Sequence, residues 1–359
     1  MTILQVSPRF HPEKGGVETH VWQVSKALLR RKHKVWVLTL NPSSLELRLI
    51  KLSLDKSGNL SLATITPDLP KPEQKAHYIS TLYKLAVWRQ VARLTSTLRR
   101  VNIIQVHDVA WWLFPVWPLF AKKIFVTFHG YEGSEPPSWR AVLHRKIVEK
   151  LAVGSVCVGE FMKKWYHAKP NLIIYGAGDV RATPRSSRNK AVFLGRFSQD
   201  NGVMIYLRAL ALLKKKIDLD IYGAGNKKGE MQRFIRRKRL SASMHDWTDE
   251  VESVLAKARW AFVSRYLAIL EAMQAKRLVV AVYDNEIKKD YLLCHPQSKN
   301  MVIAGSAREL ANKLEKLDQS KEQMMIENAY RWAKNQTWDE LVKAYLGLWS
   351  LKLSTTLSF

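Results

Sequence analysis

Leu278-Val279-Val280-Ala281-Val282 is an unbroken apolar run, and it constrains the fold more than any other stretch of the chain. Such a run offers no polar face to water. It reads as a strand buried on both sides, the situation of a parallel sheet covered by helices. Upstream, Trp260-Ala261-Phe262-Val263 is a second short apolar strand, and Leu267 to Ala275 between them is a good helix former. Strand, helix, strand at this spacing is a βαβ unit. Glu271 interrupts the apolar run of that helix. It reads in two ways: as a carboxylate favoured near a helix start by the dipole, or as an acceptor for ligand hydroxyls. Open α/β sheets bind ligands at the carboxyl edge of their strands.

The same alternation runs through the chain. Strands are expected at Thr2 to Val6, Lys34 to Leu40, Ile103 to Val106, Ile124 to Phe128, Ser155 to Val158 and Leu172 to Tyr175, with a further candidate at Leu60 to Ile65. Helices are expected at Val17 to Arg31, His77 to Arg99 and Pro136 to Leu151, and Pro67 to Pro72 reads as a turn. Val180 to Lys190 is polar, basic and aperiodic, and reads as a domain boundary. A second series follows, with strands at Ala191 to Leu194 and Leu219 to Tyr222, the βαβ unit, and closing helices at Ala307 to Leu317 and Glu322 to Leu348. Alternation throughout predicts two doubly wound parallel sheets. The 359 residues exceed what one core usually holds. The expected division is 1–179, 180–326 and a helical tail, 327–359.

Charge narrows the partners. Lys and Arg number 58 against 31 Asp and Glu, a formal net charge of +27. Such an excess points to nucleic acid, a phosphorylated substrate or an anionic membrane surface. The densest basic cluster, Arg233, Arg236, Arg237, Lys238 and Arg239, reads as a solvated helix face or one facing acidic lipid. No zinc-finger, KH or RRM pattern accompanies it, so nucleic acid is not expected. Cys157 and Cys294 stand far apart, as in a protein of a reducing compartment. The N-terminus reads as a first strand and not a signal peptide. No run reaches the roughly 18 to 20 apolar residues a spanning helix needs. Val109 to Ala121, VAWWLFPVWPLFA followed by Lys122-Lys123, has two readings. It is a buried crossover, or an apolar patch in a bilayer interface with lysines at the headgroups.

Candidate site residues gather at strand ends. Gly15-Gly16 lies between the first strand and its helix, allowing a tight turn, close approach by a ligand and anion binding at the helix start. The GxGxxG pattern of dinucleotide folds is absent, so NAD or FAD is not expected. Glu18 and His20 at the helix start read equally as site residues or as cap and surface residues. His107-Asp108 and His129-Gly130 end two buried strands at the ligand-binding edge, and a structural role is the alternative for each histidine. No third metal-type partner is in register with them, so zinc is not expected.

In order and spacing these pieces resemble the family 4 retaining glycosyltransferases over nearly the whole chain. Gly15-Gly16-Val17-Glu18-Thr19-His20 is similar to the family's GGxE loop. His107 matches the histidine ending the fourth strand of the first domain. Val126-Thr127-Phe128-His129-Gly130 is similar to the segment carrying the active-site histidine. Gly195-Arg196 resembles the glycine-arginine that binds diphosphate, Ile221 to Gly225 the next strand with its GxG turn at Gly223, and Leu270-Glu271-Ala272-Met273 the LEAM signature. The last helix, with Trp332, Trp338 and Tyr345, resembles the one that crosses back to the first domain.

The resemblance implies a GT-B fold, α/β with two Rossmann-like doubly wound domains facing across a cleft. It implies sugar transfer from a nucleotide sugar with retained anomeric configuration, and no metal or other cofactor. Arg196 would stabilise the leaving diphosphate, helped by the Gly15-Gly16 amides. Glu271 would accept the ribose hydroxyls, and His129 would contact the transferred sugar. Glu18, His20 and His107 would lie on the acceptor side. Two departures stand out. Asn201 replaces the family's diphosphate-binding lysine. Val263 stands where a Glu-Gly-Phe-Gly turn would begin, and Ser264 to Ala268 runs straight into the helix. Arg265 is the candidate replacement for the missing charge. The expected function is a glycosyltransferase of glycan assembly or protein glycosylation, acting at the cytoplasmic face of the membrane on a glycan or polyprenyl-phosphate-linked acceptor. The alternative is a catalytically impaired paralogue that binds nucleotide sugar or serves as a scaffold.

Overall fold

The computed structural model describes residues 1–41, 46–55, 58, 60–64, 81–131, 135–183 and 189–356. The expected turn at 67–72, the start of the helix expected from His77, and the middle of the 180–190 linker lie outside the described residues. The chain divides into two compact units. The first comprises Met1–Val158, Met162–Ile174 and Trp338–Phe359; the second comprises Gly159–Phe161 and Tyr175–Thr337.

The first unit holds eight strands: β1 Thr2–Val6, β2 Lys34–Leu40, β3 Leu47–Leu54, β4 Leu60–Thr64, β5 Ile103–His107, β6 Ile124–Phe128, β7 Gly154–Val158 and β8 Leu172–Ile174. They lie in the order β4-β3-β2-β1-β5-β6-β7-β8. From β2 to β8 through β1 the pairing is parallel. β5, β6 and β7 are buried at every position, polar Gln105, His107, Thr127 and Ser155 included, as strands covered on both faces should be. The expected all-parallel sheet is corrected at one edge, where β3 pairs antiparallel with both β2 and β4. The reason lies in a period-2 pattern: Arg48, Lys51 and Ser53 are exposed while Leu47, Leu49, Ile50 and Leu52 are buried. A half-wet strand is characteristic of antiparallel edges.

The second unit carries β9 Lys190–Leu194, β10 Asp218–Tyr222, β11 Ala242–His245, β12 Trp260–Phe262, β13 Leu278–Val282 and β14 Val302–Ala304, ordered β11-β10-β9-β12-β13-β14. All pairs are parallel. β13, the opening run, is buried at all five positions. Each sheet therefore reverses its winding once, between β1 and β5 and between β9 and β12. Loops at such a reversal splay apart and leave a crevice at the carboxyl edge.

Two other expectations are corrected. The closing helix is two helices, Gln319–Ala333 and Trp338–Thr356. The break follows from Gln336, whose carbonyl accepts from Gly178 N (2.9 Å) and Gln274 Nε2 (3.3 Å) instead of continuing a helix. Trp332 thus belongs to the second unit, against Tyr175 and His295, whereas Trp338 and Tyr345 belong to the first. The Trp-rich stretch at 109–121 is the crossover and not an interfacial patch. Trp112, Leu113, Val116, Trp117 and Phe120 are buried in the core, and Trp88 Nε1 donates to the Trp111 carbonyl at 2.8 Å. Among the described residues no helix is long and apolar enough to cross a membrane.

Glu322 ties the helix Gln319–Ala333 to β12. Its two oxygens accept from Arg259 Nε and Nη2 at 3.0 and 2.6 Å, and from Trp260 Nε1 at 3.0 Å, in a fully buried position. Removing one partner of a buried pair leaves the other desolvated and unpaired. Glu322→Ala is expected to lower the unfolding free energy of the second unit by about 3 kcal/mol, measured by urea unfolding.

Candidate functional site

In the first unit the reversal between β1 and β5 gathers three histidines. His107 ends β5, His129 follows β6, and His20 lies in the second turn of the helix Gly16–Arg30, which follows β1. One ring nitrogen of each lies within 4.8 Å of those of the others. His107 Nδ1 is 2.8 Å from His129 Nε2, and His107 Nε2 is 2.7 Å from Gln5 Oε1 in β1. The ring of His20 stands edge-on to His129, with centroids 4.7 Å apart. The sequence showed no third partner in register because His20 arrives from a helix, and only the pairing of β1 with β5 brings it alongside. His20 Nε2, both nitrogens of His107 and His129 Nε2 are hydrogen-bonded within the protein, and among the described residues this is the one cluster of three potential metal ligands. Cys157 and Cys294 are free thiols.

Burial sets the charge of this group. All three imidazoles titrate below the ordinary histidine value, first because burial disfavours the cation. His129 is pushed down to about 3, by burial and then by the Arg145 guanidinium. Neutral rings fix a proton order. With Gln5 Oε1 accepting, His107 Nε2 carries the hydrogen and its Nδ1 accepts from His129 Nε2. His129 is left with an Nδ1 lone pair.

Polar partners hold the rings. The C-terminal helix Trp338–Thr356 contributes Tyr345, whose hydroxyl lies 3.2 Å from His20 Nε2 and 2.9 Å from Thr127 Oγ1. Gln105 donates to Thr127 Oγ1 at 2.9 Å and accepts from Trp349 Nε1 at 3.1 Å. The His129 amide donates to Asp108 Oδ1 at 3.0 Å. Asp108 occupies a left-handed conformation at φ 61°, and burial raises its carboxyl pKa. Buried Arg145 lies 3.8 Å over the Tyr166 ring and donates to the Gly130 carbonyl at 2.5 Å. Glu18 is buried, Gly15 is buried and Gly16 is exposed. A Cβ on Gly16 would meet nothing within 4 Å, so packing does not demand glycine there.

In the second unit the reversal between β9 and β12 gathers basic side chains. Arg196 follows β9 and is exposed. Arg265 follows β12 and N-caps the helix Tyr266–Gln274. Asn201 joins the two loops: its Nδ2 donates to the Arg196 carbonyl at 3.0 Å, and its Oδ1 accepts from Arg265 Nε at 3.1 Å. Asn201 is buried and acts as a brace for the two arginine-bearing loops. Arg265 also forms an ion pair with Asp200. Burial would raise the Asp200 carboxyl, but Arg265 and the Ser198 hydroxyl hold it below the ordinary value. Gly223 serves the backbone. A Cβ there, at φ 149°, would run into the Gly195 carbonyl oxygen, and Gly195 N donates to Tyr222 O across the same contact at 3.2 Å.

Sequence reasoning missed Lys288. It is fully buried on the helix Glu286–Leu293, donates to the Ser264 carbonyl and lies 4.3 Å over the Tyr291 ring. Burial, then Arg265, lowers its pKa well below the usual lysine range. A signal was present: Lys288 lies three and four residues before buried Tyr291 and Leu292, on their face of the helix. Ser264 is equally engaged, its Oγ accepting from Val282 N at 3.0 Å and lying 2.7 Å from the Tyr206 hydroxyl.

Glu271 stands in the second turn of its helix and not at the capping position. Its carboxyl makes no side-chain hydrogen bond among the described residues, and burial alone pushes its pKa up to about 7. The basic cluster Arg233, Arg236, Arg237, Lys238 and Arg239 is a solvent-exposed face.

Residues 14–172 match the family described as Glycosyltransferase Family 4, and residues 188–320 match Glycosyl transferases group 1. No curated protein sequence matches the chain. Among solved structures, a glycosyltransferase from Rickettsia africae superposes with a TM-score of 0.69 at 16% identity, covering 98% of each chain. Anabaena HepE in complex with UDP-glucose gives 0.67 at 16% identity, covering 97% of this chain and 99% of that one. The pneumococcal O-GlcNAc transferase GtfA, with UDP and GlcNAc, gives 0.64 at 10% identity over 98% and 99%. The fold is GT-B, built from two Rossmann-like α/β sheets. The N-terminal part of the chain is thus similar to one glycosyltransferase family model and the C-terminal part to another.

Glu271 has a stability signature. A carboxyl whose pKa lies near 7 when folded and near its ordinary 4.5 when unfolded binds more protons in the folded state between those values. Stability is therefore fully present below about 4.5 and falls as pH rises toward 7. Glu271→Gln is expected to remove up to about 3 kcal/mol of that decline. Denaturation at a series of pH values measures it, and parallel curves for the two proteins would contradict the burial argument.

Proposed function

We propose that the protein is a retaining glycosyltransferase that transfers a sugar from a nucleotide-sugar donor. The observation carrying this reading is the edge between β9 and β12. There Asn201 braces the Arg196 loop and the Arg265 guanidinium together, and the helix capped by Arg265 bears Glu271, a carboxyl without a side-chain partner among the described residues. Two guanidinium groups at one strand edge suit a diphosphate, which takes paired N–H donors. A half-buried carboxyl in the same helix suits ribose hydroxyls.

In the proposed reaction the bond from the anomeric carbon to the diphosphate oxygen breaks, and its electron pair stays on the diphosphate. Arg196 and Arg265 stabilise that charge as it develops. An acceptor hydroxyl bonds to the anomeric carbon and gives its proton to the departing diphosphate oxygen. His129, neutral and held through Asp108 and His107, contacts the transferred sugar, and the Gly15 and Gly16 amides assist at the phosphate. Glu18, His20 and His107 serve the acceptor side. Positioning and charge stabilisation suffice without a covalent nucleophile. The acceptor in this reading is a glycan or polyprenyl-phosphate-linked glycan at the cytoplasmic membrane face, as the +27 net charge suggests.

One observation favours a second reading, a paralogue that binds donor without transferring it. Only Val263, Ser264 and Arg265 connect β12 to its helix. Val263 N bonds to Val280 O at 3.0 Å, and Ser264 is buried in hydrogen bonds. That connection supplies no carboxylate to the donor sugar.

A screen of nucleotide sugars by thermal shift, followed by calorimetry and a transfer assay, separates the readings. At least one nucleotide sugar is expected to stabilise the protein. Arg265→Ala is expected to weaken its binding about tenfold or more. Affinity should rise with pH toward about 7 as Glu271 ionises, and this dependence should vanish in Glu271→Gln. Binding without donor hydrolysis or transfer selects the second reading. No stabilisation by any donor, or unchanged binding by Arg265→Ala, overturns the first.

A further inference from the structure

The helix Trp139–Leu151 of the first unit turns a mixed apolar and basic face to solvent. Trp139 is 69% exposed, Leu143 47%, Ile147 44% and Leu151 47%. Spaced every four residues, they form one stripe along the helix. The remaining exposed positions are Arg140, Lys146 and Lys150, so the outward face carries three cations and no carboxylate. The one acid of the helix, Glu149, is turned away, accepting from Ser155 Oγ at 2.9 Å and from Lys169 N at 3.0 Å.

The inward side is firmly seated. Ala141, Arg145 and Val148 are buried. Arg145 is anchored over Tyr166, and Ser138 caps the helix by accepting from Ala141 N at 3.2 Å. Trp117 Nε1 donates to the Leu151 carbonyl at 3.3 Å. This bond ties the C-terminal end of the helix to the segment bearing Leu119, which is 61% exposed, and Lys122, also exposed. The Arg140 guanidinium lies 5.4 Å over the Trp139 ring. An apolar stripe of this extent on a rigid helix marks an interaction site, and its uniformly positive rim selects an anionic partner.

We propose that this face docks on an anionic lipid bilayer. The four apolar side chains enter the headgroup and acyl boundary, with Trp139 at the interfacial level that suits an indole. Arg140, Lys146 and Lys150 pair with lipid phosphates, their stems lying along the apolar surface. The inference rests on the reading of a membrane-borne acceptor above and supplies the surface that reading lacks, since the tryptophans at 109–121 are largely buried in the core.

The full-length protein is tested by co-sedimentation with phosphatidylcholine vesicles, with and without phosphatidylglycerol. Binding to the anionic vesicles is expected, weakening as salt rises, with little binding to the neutral ones. Arg140→Glu/Lys146→Glu/Lys150→Glu should reduce binding by more than about tenfold, and Leu143→Asp/Ile147→Asp should do the same. Thermal shift with a nucleotide sugar and donor hydrolysis, read in the second unit and in solution, should stay at wild-type values in both variants. Their failure in the wild type would count against the transferase reading and leave the docking result standing. Anionic vesicles that fail to bind wild type, variants that bind as wild type does, or a dimer dissociated by Leu143→Asp/Ile147→Asp with vesicle binding unchanged would each overturn the docking proposal.

Discussion

Loss of water at the carboxyl edges of the two sheets determines the chemistry available there. His20, His107 and His129 lie below the ordinary histidine pKa, Glu271 lies near 7 and Lys288 falls well below the lysine range, in each case with burial as the first cause. In a chain of net charge +27, these five groups are thus shifted toward neutrality. Permanent charge at the second sheet's edge comes from guanidinium groups, which do not deprotonate in proteins. The Asp200 carboxyl, held below its ordinary value beside Arg265, offsets part of that charge.

That edge exists because each sheet reverses. The strand order places β9 beside β12 although 65 residues separate Leu194 from Trp260 in the chain. The loops after these strands then come close enough for one asparagine to brace both. In the first unit the neighbours are β1 and β5, and Gln5, His107 and the His20 helix meet for the same reason. The C-terminal helix completes that group. Tyr345 and Trp349 arrive from more than two hundred residues away in sequence to bond His20, Thr127 and Gln105. The first unit's site is therefore contingent on the chain returning after Thr337.

Much of this was legible in the sequence, for physical reasons that can be stated residue by residue. Continuous apolar runs such as 278–282 can only be satisfied by burial on both faces, so the parallel strands and their carboxyl-edge residues could be read directly. The antiparallel edge at β3 was missed because its period-2 signal is short and Ile50 interrupts it. The Trp-rich stretch was ambiguous because tryptophan suits both a core and a bilayer interface, and composition does not distinguish them. His20 and Lys288 were obscure as neighbours because their proximity to the site is a property of tertiary pairing. Trp332 was assigned to the wrong helix because a polar break of a few residues carries little periodic signal.

The shortened connection after β12 and the replacement at position 201 are best understood together. Asn201 brings no charge of its own, yet its side chain holds the guanidinium of Arg265. Arg265 stands in the very connection that has lost its turn. Dropping the turn lets the strand lead into the helix within three residues, and this puts Arg265 at the helix start, where its side chain can reach Asn201 and Asp200. In the reading proposed above, the charge that the family resemblance expects from a lysine on one loop comes from an arginine on its neighbour. The exchange is not neutral: a guanidinium offers planar, paired donors where an ammonium offers a point charge. Lys288, buried behind it against the Ser264 carbonyl, fixes the backbone from which Arg265 projects. In that reading the two departures from the pattern form one local arrangement, in which the short connection after β12 places a cation beside Asn201.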